Sequence, residues 1–252
     1  MRWGDVSFDF SGASVLVTGG TGGIGGAIAE AFRDAGASVT VTGTRASAGD
    51  YDKDLSGYGY AQLDLEDRHS LASVAAGLDK LDALVNSAGL AMFALGLDEY
   101  DPDVFDRAVT MHLTGVHRLC SLCEPLLEKS TLPGGASVIG LASESSFFGI
   151  DAVPGYGAAK TGLLGLIRAL AVHWAKKNIR VNAIAAGLVR SGFTSAVMDV
   201  EEINHAMLAR TPMGRHGDPS DCAGAALFLS SSAASWITGQ VLPVDGGFMI
   251  AG

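Results

Sequence analysis

Short apolar runs rich in β-branched residues alternate along this chain with longer stretches of helical periodicity. The runs SVLVT (14–18), SVTVT (38–42), DALVN (82–86), ASVIG (136–140), IRVNAI (179–184) and QVLPV (240–244) read as strands, and GYAQLD (59–64) adds another. Several are apolar almost throughout, as strands of a parallel sheet covered on both faces are. Helical patterns fill the gaps, over residues 24–35, 67–77, 103–129, 155–177 and 219–230. This alternation predicts an α/β fold, a doubly wound parallel sheet with helices on both faces. A ligand then binds beyond the carboxyl ends of the strands.

Length and composition narrow the picture. The 252 residues suit a single Rossmann-type domain spanning 1–252, and no linker or low-complexity tract divides them. With 48% hydrophobic residues the chain can bury a sizeable core. A formal net charge of −10 argues against nucleic acid or an anionic membrane surface as partner. The opening MRWGDVSFDF carries acids where an export signal has an apolar run. The longest apolar stretch, LLGLIRALAV, is broken by Arg168 and is too short to span a bilayer. Cys120 and Cys123 form a CxxC inside a helix with no second pair to complete a metal site, and read as a packed helix face. A soluble cytoplasmic protein is expected.

Two stretches carry candidate chemistry. VLVTGGTGGIGGAIAEAF runs from the first strand through a glycine cluster into a helix beginning near Ile24, with Gly19, Gly23 and Gly25 spaced G-x-x-x-G-x-G. Glycine lets the backbone approach a ligand closely, and the amides that open a helix favour a pyrophosphate. Dinucleotide binding follows. In VPGYGAAKTG (153–162), Tyr156 and Lys160 stand four apart, so a helix points both the same way among small neighbours.

These motifs together resemble the short-chain dehydrogenase/reductase family, in the manner of its 3-oxoacyl-acyl-carrier-protein reductase-like members. The resemblance rests on Thr18-Gly19-x-x-x-Gly23-x-Gly25, Asn86-Ser87-Ala88-Gly89, Ser143 thirteen residues before Tyr156, and Tyr156-x-x-x-Lys160. It continues through IRVNAIAAGLV (179–189) to TGQVLPVDGG (238–247) and so covers nearly the whole chain. It implies a Rossmann-fold oxidoreductase moving a hydride between NAD(P) and a carbonyl/alcohol pair. Tyr156 is then the acid–base group, its phenolate favoured by the Lys160 ammonium. Lys160 also holds the nicotinamide ribose, and Ser143 hydrogen-bonds the substrate oxygen. The resemblance extends the cofactor site to Thr21, Asp64, Leu65, Asn86, Ala88, Gly89, Gly187, Val189 and Ser191. Asp64 reads equally as a helix N-cap, and the two roles are compatible. Ala186-Gly187 stands where the family has Pro-Gly.

Where the family carries an asparagine that holds a relay water behind the lysine, this chain has His112. A histidine that titrates near neutrality can serve the relay, or it can simply fill space. At the end of the second strand stand Gly43 and Thr44, followed by Arg45, with no acid to repel a 2′-phosphate. NADP is expected over NAD, although Gly22 occupies the place of the basic residue that NADP enzymes often carry in the glycine loop. Phe93, Phe147, Phe148, Phe193 and Met198 point to an apolar small substrate under a lid near 188–212, or to packing beneath loops. The helix GLLGLIRALAVHWA (162–175) is apolar around much of its circumference, which predicts a homotetramer or a deeper intrachain core. The competing readings are a dinucleotide-binding redox sensor without turnover and a nucleotide-sugar epimerase or dehydratase. The complete Ser143–Tyr156–Lys160 set and the TGxxxGxG spacing speak against both.

Overall fold

A computed structural model describes residues 6–192, 194 and 198–251. Seven parallel strands form one sheet in the order β3-β2-β1-β4-β5-β6-β7. They are β1 (Ser14–Thr18), β2 (Ser38–Gly43), β3 (Gly59–Gln62), β4 (Ala83–Asn86), β5 (Ala136–Ser143), β6 (Ile179–Ala186) and β7 (Val241–Val244). The sheet is doubly wound, with its switch point between β1 and β4, where Thr18 pairs with Asn86. Strands β4 and β6 are buried along their whole length.

The helices divide between the faces by their apolar stripes. Helices α1 (Gly23–Asp34) and α7 (Pro219–Ser230) cover one face, where Ile28, Phe32, Ala226 and Leu227 pack on Val17, Val39 and Ile184. On the other face α2 (Arg68–Ala76), α4 (Gly115–Leu127) and α5 (Pro154–Trp174) bring Leu71, Leu119, Leu163, Ile167 and Trp174 against Leu16, Leu84 and Val181. Cys120 and Cys123 lie in this second core as free thiols, the packed helix face expected of them.

The helix expected over 103–129 is α3 (Pro102–Val109) and α4 joined by a π turn, Thr110–Thr114. Such wide turns are rare and recur at functional sites; this one carries His112. A further helix, α6 (Glu201–Arg210), lies in the stretch expected only as a lid and buries none of its residues. Among the described residues no helix is long and apolar enough to cross a membrane.

Candidate active site

The cofactor end starts where β1 meets α1. Gly19 has a φ of +68°, and a Cβ there would lie 2.8 Å from the Cα of Ala88. Glycine alone lets this turn pass against the β4 loop. Thr18 binds the two together, its Oγ1 accepting the amides of Ser87 and Ala88 at 3.0 Å each. Helix α1 then opens without a side-chain cap and without an acid in its first turn. A Cβ at Gly22 would meet nothing within 4 Å, and one at Gly23 would meet only Ser191. Uncapped amides facing an open cradle are what a pyrophosphate needs. The residues present therefore fit a dinucleotide. Ile24 packs beside the α1 core, and Gly25 lies against the Gly19 carbonyl.

At the adenosine end the placement is mixed. Asp64 accepts the amide of Glu66 at 2.8 Å, while Asp67 caps α2 through the amide of His69. The N-cap reading of Asp64 is thus corrected: the helix starts one turn later. Leu65 is buried in the core, and its carbonyl lies against Gly115 of α4. Asn86 is buried, with Nδ2 donating to Cys120 Sγ at 3.4 Å. Thr44 and Arg45 stand past β2, as expected, but the Arg45 guanidinium is folded back onto the Asp50 carbonyl and over the Tyr51 ring. The Tyr51 hydroxyl fills the space a Cβ at Gly43 would take and accepts the Arg45 amide at 3.0 Å. Lys53 places its Nζ 3.2 Å from the Cβ position of Gly26, at the start of α1. Neither Tyr51 nor Lys53 stands out in the sequence, because the segment between β2 and β3 has no periodicity.

At the nicotinamide end Gly187 packs against Asp245, with its amide bonded to the Val244 carbonyl at 3.0 Å. Val189 is buried and pairs with Gly217. The Ser191 amide donates to Thr194 Oγ1 at 3.0 Å.

The reacting end forms beyond β5. Ser143 ends that strand and caps a short turn, Glu144–Ser146, accepting the Ser145 amide at 3.2 Å. The Tyr156 hydroxyl is hydrogen-bonded to the Ser143 side chain. One helical turn on, buried Lys160 donates to the Leu141 carbonyl at 2.6 Å, and its Nζ lies 5.5 Å from the centroid of the Tyr156 ring. His112 is 1% exposed; its Nε2 donates to the Leu90 carbonyl at 2.8 Å, and its ring meets Tyr156 edge to face. Gly89, at φ +155°, makes room for it: a Cβ there would lie 2.4 Å from His112 Cε1.

The electrostatics overturn two expectations. Burial first, and then the Glu144 and Glu99 carboxylates, push the Tyr156 phenol up to about 12, and the bond from Ser143 only partly opposes them. The net shift is thus upward, opposite to the lowering expected beside Lys160, because burial dominates; the Lys160 ammonium itself donates to the Leu141 carbonyl. Burial itself brings Lys160 down to about 8. His112 is pulled down to about 3 by burial and by the Lys160 charge, so it is neutral rather than titrating near pH 7.

Two buried carboxylates escaped the sequence reading. Glu99 bonds Met92 and Tyr156 through their amides. Glu144, next to Ser143, is pushed up to about 7 by burial and by Asp245, with Arg210 opposing. Of the aromatic residues expected near the substrate, Phe147 is exposed, and Phe148 packs 5.8 Å from Phe248 beneath the Arg210 guanidinium. Phe93 and Met198 are half-buried, and Phe193 lies outside the described residues.

Such a site on a doubly wound sheet defines a nicotinamide-dependent oxidoreductase of Rossmann type. Residues 19–249 match the family model described as "Enoyl-(Acyl carrier protein) reductase". The chain is 35% identical to 2-dehydro-3-deoxy-D-gluconate 5-dehydrogenase of Pseudoalteromonas atlantica, over 96% of this chain and 98% of that one. It is equally 35% identical to 7alpha-hydroxysteroid dehydrogenase of Escherichia coli, over 94% of each. A crystal structure of a putative NAD(P)-dependent gluconate 5-dehydrogenase from Beutenbergia cavernae, with NADP bound at low occupancy, superposes with a TM-score of 0.86. The two are 33% identical, and the match covers 97% of this chain and all of that one. The chain belongs to the short-chain dehydrogenase/reductase family and is an NAD(P)-dependent oxidoreductase acting on CH–OH groups.

Proposed function

We propose that this enzyme interconverts a secondary alcohol and a carbonyl in an apolar small molecule, with NADP as its cofactor. The observation that carries the reading is the hydrogen bond between Ser143 and Tyr156, with Lys160 one helical turn behind. Ser143 would hold the substrate oxygen. Tyr156 would give its proton to that oxygen in reduction and take it back in oxidation. Lys160 would bind the ribose hydroxyls and lend its charge as the phenolate forms. When bound, the nicotinamide supplies or accepts the hydride. The cradle at Gly22 and Gly23 would take the pyrophosphate, and Ser191 borders it.

NADP is favoured by the absence of an acid at Gly43 and Thr44 and by the nearby cations Arg45 and Lys53. The Beutenbergia cavernae neighbour, which binds NADP, supports the same choice. The apolar substrate is supported by Phe147, which stands exposed just past the turn that Ser143 caps. Identity alone does not decide it, since a sugar-acid enzyme and a steroid enzyme are equally similar. The stretch 188–212 would act as a lid, consistent with an α6 that buries no residue. A cytoplasmic homotetramer completes the proposal. Helix α5 leaves Ala158, Gly165, Ala169 and Val172 outward, and Trp236 beyond α7 is 99% exposed.

Screening carbonyls and secondary alcohols with NADP(H) and NAD(H), read by nicotinamide absorbance, tests the reading. Turnover of apolar ketones with NADPH is expected. Turnover confined to polyhydroxylated acids would overturn the substrate class.

A further inference from the structure

Helix α5 has an unusual beginning. Its N-cap residue is Val153, which has no side chain able to cap, and Pro154 follows at the first helical position. The amide of Tyr156, in that first turn, therefore needs an acceptor from elsewhere. It finds one 57 residues back in the chain: Glu99 Oε2 accepts it at 2.7 Å. The other oxygen of the same carboxylate accepts the Met92 amide at 3.2 Å. Glu99 is 1% exposed, so this is a buried carboxylate spent wholly on two backbone donors. Gly155 permits the approach, since a Cβ there would already lie 3.3 Å from Glu99 Oε2.

The contacts close a circuit around the tyrosine. Glu99 ties α5 to Met92, and two residues earlier the Leu90 carbonyl accepts His112 Nε2. His112 in turn packs on the Tyr156 ring. We propose that Glu99 is a positioning residue for the reaction, standing in for the missing cap of α5 and fixing where the Tyr156 phenol meets Ser143. The proposal rests on the reading of Tyr156 as the acid–base group. Bonds from backbone amides to a carboxylate are the strong kind, and small displacements of a reacting group are costly. A carboxylate at this place also acts on the phenol by charge. Around Tyr156 stand Lys160 on its own helix, His112 on the π turn, Glu144 after β5, and Glu99. Of these, Glu99 and Glu144 disfavour the phenolate.

Glu99→Gln, Glu99→Asp and Tyr156→Phe, compared as full-length enzymes, test this. The glutamine keeps the shape but has one acceptor where two donors wait. Its kcat is expected to fall roughly ten- to a hundredfold, with the NADPH dissociation constant, read by fluorescence titration, unchanged. The Tyr156 amide should exchange its hydrogen faster. The tyrosine limb of the pH profile for alcohol oxidation should move to lower pH, because a negative charge near the phenol is gone. Glu99→Asp should lower kcat without moving the limb, since it shortens the reach but keeps the charge. Wild-type kcat and slow amide exchange in Glu99→Gln would overturn the proposal. A lower kcat with an unmoved limb and slow exchange would also overturn it, as loss of packing alone. If Tyr156→Phe retained activity, the acid–base reading itself would fall and the role of Glu99 with it; an inactive Tyr156→Phe beside a normal Glu99→Gln would sink only the latter.

Discussion

The rings of His112 and Tyr156 meet edge to face, with 4.8 Å between centroids and 86° between planes. The histidine is neutral in this contact, held down to about 3 by burial and the Lys160 charge. It can therefore serve a proton relay only through hydrogen bonds, not through its own ionisation. His112→Asn, the residue usual in the family, is expected to retain substantial activity. His112→Leu should lose more, because the Leu90 carbonyl gives up its donor. Neither change should remove an ionisation from the neutral range of the pH–rate profile. A His112→Leu enzyme matching wild type throughout would reduce the residue to packing.

Tyr156→Phe keeps the ring against His112 and removes the hydroxyl bonded to Ser143. Turnover should drop by about 10²–10⁴-fold, the usual weight of a proton-transferring group. Cofactor binding should survive, as the fluorescence of bound NADPH would report. More than about a tenth of the activity remaining in the folded variant would refute the assignment.

Much of this architecture was legible from the pattern of residues. The β-branched runs located all seven strands, since burial on both faces demands near-continuous apolar character. Their ends were less visible: β5 runs on to Ser143 because β6 pairs with it as far as Ala186, which GLAS alone does not announce. Helix α6 went unread as a helix because EEINHAMLAR has no apolar stripe and buries nothing. The π turn at TMHLT has no compositional mark. In the site, Tyr156 and Lys160 share a helix face as their spacing predicts, and Ser143 joins them as the family resemblance implies. Glu99, Glu144 and Tyr51 could not be read, because their roles depend on partners that only the tertiary fold supplies. The ionisation of His112 and Tyr156 failed for the same reason: burial outweighs the near neighbours that a sequence shows.

The proposed part of Arg45 in cofactor choice is open to measurement; its side chain now stacks on Tyr51, just past β2. If it swings to a 2′-phosphate, Arg45→Ala should cut kcat/KM for NADP by about 10- to 100-fold, the weight of one lost charge-assisted bond. Values with NAD should hardly move. Equal losses with both cofactors would show that the arginine supports only the Tyr51 turn.

Assembly is open to a direct measurement. Val172 is 81% exposed on α5, in line with Ala169 and Gly165, a strip small enough for two helices to pack closely. Light scattering at micromolar concentration should give the mass of a tetramer. Val172→Asp should lower that mass, since it places a charge on the strip, while circular dichroism stays unchanged. A monomeric wild type would dismiss the α5 interface.

Glu144 offers a test through pH. Its carboxyl is 6% exposed, with Oε2 free of hydrogen-bond partners, and it faces Asp245 and Arg210 as well as Tyr156. Burial and Asp245 raise it from 4.5 to about 7. The folded protein thus holds a proton that the unfolded chain gives up near ~4.3. That contribution to stability is complete below the unfolded value and is lost as pH rises through the folded one. The loss amounts to something on the order of 3 kcal/mol. Glu144→Gln has the same shape and nothing to titrate. Its melting temperature should match wild type in acid and rise above it progressively as the buffer moves from weakly acidic to weakly alkaline. The sign follows from the carboxylate that wild type must ionise in a buried place. A gap between the two melting curves that stays constant with pH would mean that Glu144 is already ionised throughout, with Arg210 outweighing Asp245 and burial.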